Sequence, residues 1–178
     1  MNRREVLQIG AAAAALPALR AQSHHAFSAA AAPADWTPRT LDAHQNETVI
    51  ALTEIVIPQT TTPGAKAALV NRYIDLFLTD GPQDERVRFV EGVNWLDGYA
   101  LRTHQRPFIA CTPAQQNALL EALDAGSDPA LASGAQFFRM AKGLTARIYY
   151  NTRAGYDDLN RGGRVPASFG CQDPGHHS

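Results

Sequence analysis

The 178-residue chain is 45% hydrophobic and 19% charged, enough apolar side chains for one folded domain and too many for a disordered chain. Its formal net charge is −1. No Lys/Arg block follows the first few residues, which argues against nucleic acid as a partner.

The chain opens on Arg3-Arg4 and a Glu5-Val6-Leu7 continuation, then an Ala-rich, mildly apolar run to Leu19. A basic start followed by a short apolar stretch is the pattern of an export signal. The arginine pair looks like the twin-arginine type, which carries folded proteins into the periplasm. The run is short and bracketed by Gln8 and Arg20, against the ~20 strongly apolar residues that a spanning helix needs. An uncleaved anchor and an ordinary amphipathic start are the alternatives. Residues 1–32 are read as signal and leader, and 33–178 as one domain. Loss of residues 1–20 would remove three arginines and one glutamate, leaving the product mildly acidic. Trp36 is the expected point at which the leader is pinned.

The first helix is expected over 41–56, capped by Thr40 with Asp42 in support, its stripe formed by Val49, Leu52 and Val56. Pro58 stops it. Thr62 is expected to cap a second helix over 63–79, with Pro63 in its first turn. Val70, Ile74, Phe77 and Leu78 form the apolar face, and Lys66, Asn71, Arg72 and Asp75 the polar one. A third helix, over 82–103, has a broad apolar pattern; Gly92 and Gly98 weaken it as an unbroken helix. Trp95 and Tyr99, four apart, can stack, either in the core or on a partner surface.

Phe108 and Ile109 should pin the following loop. Thr112-Pro113-Ala114-Gln115 is a capping box with proline at the first helical position. It starts a fourth helix through Leu119, Leu120 and Leu123 to Gly126. Ser127 or Asp128 caps the next element. Phe137, Ala141, Leu144 and Ile148 then mark the central helix of a bundle, with Gly143 a weak spot and Tyr149 and Tyr150 near its end. After Asn151 glycine and proline dominate, and an extended arm is expected. The fold class is all-α: a compact, irregular helical bundle with an extended Gly-rich C-terminal arm.

Chemistry-bearing motifs are sparse. Cys111 and Cys171 lack metal-site spacing, and no Gly-rich nucleotide loop, nucleophile elbow or H-E-x-x-H is present. The chain offers no catalytic, cofactor-binding or metal-ligating set. In an oxidising compartment three states are open to the two cysteines: an internal disulfide, a bond to a partner chain, or free thiols. The Asp157-Asp158 pair has no orienting partner in the sequence, and Arg161-Gly162-Gly163-Arg164 reads as a tight turn.

On these residues the chain resembles the gluconate 2-dehydrogenase subunit 3 family. The resemblance rests on the Arg3-Arg4 signal, Ile57-Pro58, Thr62-Pro63-Gly64-Ala65, Val70 through Asp75, Phe137-Phe138, Tyr149-Tyr150 and a glycine-bearing tail with Cys171. It implies a non-catalytic small subunit that accompanies a large FAD subunit of the glucose-methanol-choline type, whose electrons pass to a haem c subunit. This small subunit would aid maturation of the large one, and its signal, through Arg3 and Arg4, would export the pair. Membrane association would come through the complex. Ile57, Pro58, Thr62, Pro63 and Gly64 would form a joint close to the partner, with Trp95, Tyr149 and Tyr150 as further contacts. A stand-alone periplasmic helical protein is the second reading, and an independent enzyme using Asp157 and Asp158 the third.

Overall fold

Asp42, not Thr40, starts the first helix. Its carboxylate accepts from the Gln45 amide at 2.7 Å, and the Gln45 side chain accepts from the Asp42 amide at 3.1 Å. This capping box begins α1, Ala43–Val56. Thr40 instead places its hydroxyl 2.8 Å from that of Thr79. The computed structural model describes residues 36–160, and those residues hold six α-helices and two single 3₁₀ turns. After α1 come α2 (Val70–Asp80), α3 (Gln83–His104), α4 (Pro113–Ala125), α5 (Ala132–Tyr150) and α6 (Arg153–Leu159). No strand occurs among the described residues, so the all-α expectation holds. The part of the C-terminal arm beyond Asn160 lies outside them.

Helix α5 is central, packed against α1, α2, α3, α4 and α6. Its Phe137, Ala141, Leu144 and Tyr149 join Val49, Leu52, Ile74, Phe89, Leu96 and Leu123 in one core. Each buried Leu or Phe contributes about 1.5–3 kcal/mol relative to leaving it exposed. Glycines allow the closest of these contacts. A Cβ at Gly92 would lie 2.0 Å from the Phe137 ring, and one at Gly134 would lie 2.1 Å from Trp95. Thus α3 and α5 each receive an aromatic ring of the other at a glycine. A helix-interior glycine costs about 1 kcal/mol relative to alanine, and these packed rings offset it. That is why α3 runs unbroken through Gly92.

Helix α2 departs most from expectation. It starts at Val70 rather than 63. Residues 64–69 make one helical turn, closed by Val70 N–H to Ala65 O at 3.0 Å and Leu69 N–H to Lys66 O at 3.1 Å. Leu69 sits in the left-handed region, φ 58°. This is a Schellman closure with leucine in the position that favours glycine, and it separates the turn from α2. Two residues of the expected polar face also turn inward. Asn71 donates to Asn46 at 2.9 Å inside the core. Asp75, 2% exposed, accepts from the amides of Arg39, Thr40 and Leu41 at 2.8–3.0 Å. Satisfied this way, buried polar groups are tolerated. Tyr73 and Leu76 are left on the outside. Arg72 covers the Trp36 ring at 4.7 Å, which pins the entering chain as expected.

The capping box at Thr112 is present as expected, with Pro113 in the first turn, and Gly126 ends α4 at φ 58°. Phe108 is fully buried, whereas Ile109 is 38% exposed, so Phe108 does the pinning. The other correction lies after Asn151. Thr152 accepts from the Gly155 amide at 3.2 Å and caps α6, so the chain re-enters a helix there instead of extending. A Cβ at Gly155 would lie 2.1 Å from the Tyr149 carbonyl oxygen. Only glycine fits that corner. Among the described residues, no helix is long and apolar enough to cross a membrane.

Candidate partner-docking surface

The residues expected to face a partner fall into two groups. Ile57, Pro58, Thr62, Pro63 and Gly64 build a joint between α1 and α2 that is held from within. The Glu54 carboxylate reaches over it and accepts from the Gln59 and Lys66 amides, both at 2.8 Å. The Ala65 amide donates to Ile57 O at 2.9 Å. A Cβ on Gly64 would stand 2.5 Å from both that carboxylate and the Gln59 nitrogen, which explains the glycine. From α5, the Tyr149 hydroxyl donates to Pro63 O at 2.7 Å. Tyr149 is 1% exposed, so it is an internal strut and not a contact surface. The outward part of the joint is the tip from Pro58 to Thr61.

Trp95 and Tyr150 face the surface in part. Trp95 packs against Tyr99, with centroids 5.2 Å apart and the rings tilted by 34°, and fills the space at Gly134. Tyr150 is 42% exposed, its ring edge-on to Tyr149.

A second region carries no sequence motif. Helices α2, α3 and α5 leave a groove of about 750 Å³ between them. Its floor is apolar, from Phe77, Phe89, Trp95, Phe137, Met140 and Leu144. Its α3 side presents Glu85, Arg88 and Glu91, and its α5 side Arg139, Gly143 and Arg147. Arg88 is held by Asp84 at 2.9 Å. Among the described residues Glu85, Glu91 and Arg139 form no ion pair. Arg147 lies over the Phe77 ring at 5.0 Å, a ridge between this groove and a shallower one of about 710 Å³ by Tyr73, Leu76 and Ile148. Two sequence signals point here faintly: the broad apolar pattern of α3 and the glycine in mid-α5.

The remaining candidates behave as structural residues. Cys111 is buried, with its Sγ 3.9 Å from Arg106 O. Burial pushes the thiol up from its ordinary value; Arg106 opposes that and Asp97 adds to it. Arg3, Arg4, Cys171 and the turn expected at Arg161–Arg164 lie outside the described residues, and so does any Cys111–Cys171 pairing. Asp157 accepts from Arg153 at 2.8 Å, one turn apart on α6. His44, at the start of α1, pairs with Asp97 at 2.6 Å, and the other Asp97 oxygen accepts from the Phe108 amide at 2.9 Å. That pair ties α1 to α3 and to the loop before α4. No group of three or more metal-ligating side chains is found among the described residues.

Neither the curated proteins nor the solved structures give a significant match. The family described as gluconate 2-dehydrogenase subunit 3 matches residues 43–163, from the first residue of α1 past the end of α6. With all six described helices inside that match, the chain belongs to the gluconate 2-dehydrogenase subunit 3 family.

Proposed function

We propose that this chain is the non-catalytic small subunit of a periplasm-facing, FAD-dependent sugar or alcohol dehydrogenase complex. It assists maturation and twin-arginine export of the flavin subunit. The flavin belongs to that large glucose-methanol-choline-type subunit and haem c to a cytochrome subunit. This chain binds neither, and the complex holds it at the membrane. The family match over all six helices carries the reading, since the family is one of dehydrogenase-complex subunits. The Arg3-Arg4 signal supports the export role. The ion pairing of Asp157 with Arg153 favours this reading over an independent enzyme, because it gives that carboxylate an ordinary role in helix α6.

Replacing Arg3 and Arg4 by lysine is expected to hold both this chain and the flavoprotein in the cytoplasm, read by fractionation and flavin-linked activity. Normal export of the flavoprotein would overturn the shared-signal role. Turnover by the purified chain alone would overturn the accessory role.

A further inference from the structure

Gly143 lies mid-α5, where glycine disfavours the helix, and a Cβ there would meet nothing within 4 Å among the described residues. Gly92 and Gly134 each have a reason inside the chain, because an aromatic ring fills the space. Gly143 has none among the described residues, and it is exposed on the groove between α2, α3 and α5. Glycine also allows another backbone to come close. On either side of it along α5, one turn away, stand Arg139 and Arg147. The facing α3 wall offers Glu85 and Glu91, while its Arg88 is already paired with Asp84. The groove is therefore apolar below, basic along one wall and acidic along the other.

Resting on the subunit reading above, we propose that this groove receives an amphipathic helix of the flavin-bearing subunit, its backbone closest at Gly143. The helix lays its apolar face on the partly exposed Phe77, Trp95 and Met140. It carries acidic side chains along the edge facing α5 and basic ones along the edge facing α3. Arg139 and Arg147 are eight residues apart, about 12 Å along α5, so roughly two turns of the incoming helix lie between them. Apolar anchors on one helix face with flanking charges are the helix-in-groove mode of recognition, and the opposed walls set the direction in which the helix lies.

The test co-expresses the full chain with the flavoprotein subunit of the same complex and measures the flavin recovered with the tagged chain. Gly143→Ala is expected to melt no lower than the parent chain yet lower the affinity about tenfold; Gly143→Phe should abolish recovery. Arg139→Glu is expected to weaken recovery several-fold, more at low salt than at high. A photo-crosslinker at Gln136, beside the groove, should attach to a flavoprotein segment with the stated pattern. Parental recovery with Gly143→Phe would overturn the groove while leaving the subunit reading intact. So would attachment to residues 161–178, to a second copy of this chain, or to a segment without that pattern. Failure of the parent chain to recover any flavoprotein overturns both.

Discussion

The joint between α1 and α2 and the groove between α2, α3 and α5 are opposite kinds of surface. In the joint, Glu54 accepts from Gln59 and Lys66, Ala65 donates to Ile57 and Tyr149 to Pro63, and Gly64 leaves the room these contacts need. Among the described residues, Glu85, Glu91 and Arg139 of the groove have no ionic partner and a Cβ at Gly143 would meet nothing within 4 Å. The joint carries the motif that is easiest to recognise, Ile57-Pro58 with Thr62-Pro63-Gly64. The groove carries no motif. A dense local motif here marks a demanding turn, whereas a surface built for another chain shows as requirements left unmet within this one.

Breaking the joint should have the largest effect. Gly64→Val forces a branched side chain against the Gln59 backbone and the Glu54 carboxylate, and is expected to cost about 3 kcal/mol. In a chain of this size each kcal/mol lowers Tm by about 2–4 °C. Glu54→Ala, which leaves two amides without their acceptor, should cost about 2 kcal/mol. Tyr149→Phe keeps the ring and removes the bond to Pro63 O, so about 1 kcal/mol is expected. Thermal melting of the full chain checks all three; a joint that tolerates Gly64→Val without loss would not be the strut described.

The groove should respond in the other direction. Gly143→Ala is expected to raise stability by about 0.5–1 kcal/mol, and Arg139→Glu to change it by less than about 0.5 kcal/mol. A large loss of stability for either would show the groove to be part of the internal packing, and the contrast with the joint would fail.

The smallest effect concerns Cys111. The folded chain holds the raised thiol proton more tightly than the unfolded chain does. Its contribution to stability is therefore present below the ordinary thiol range and lost as pH rises through the raised value. In the reduced chain, alkylation of Cys111 should be several-fold slower in buffer than in urea. Intact mass without reductant separates an internal Cys111–Cys171 disulfide, a bond to another chain and two free thiols.

Much of the helical plan is legible in the sequence because its signals are local. Thr112, Pro113 and Gln115 announce α4, and the spacing of Phe137, Ala141 and Leu144 announces α5. Three features are not legible. Leu69 in the left-handed region has no compositional sign, so local signals put the start of α2 too early. Thr152 caps α6 inside a stretch where glycines suggest an extended chain. Asn71 and Asp75 look like solvent residues because their partners, Asn46 and the amides of Arg39 to Leu41, are at least 25 residues away.

The sequence by itself determined the helical class, the capping box of α4, the family resemblance and the expectation of export. Those rest on backbone preferences and short motifs, which act over a few residues. Only the tertiary structure decided which conspicuous residues turn inward and which unremarkable ones form a surface. Tyr149 became a strut once α5 crossed the joint. Gly143 gained its meaning once Gly92 and Gly134 were seen to be filled and it was not. Those distinctions depend on what lies across from a residue, and packing between helices alone sets that.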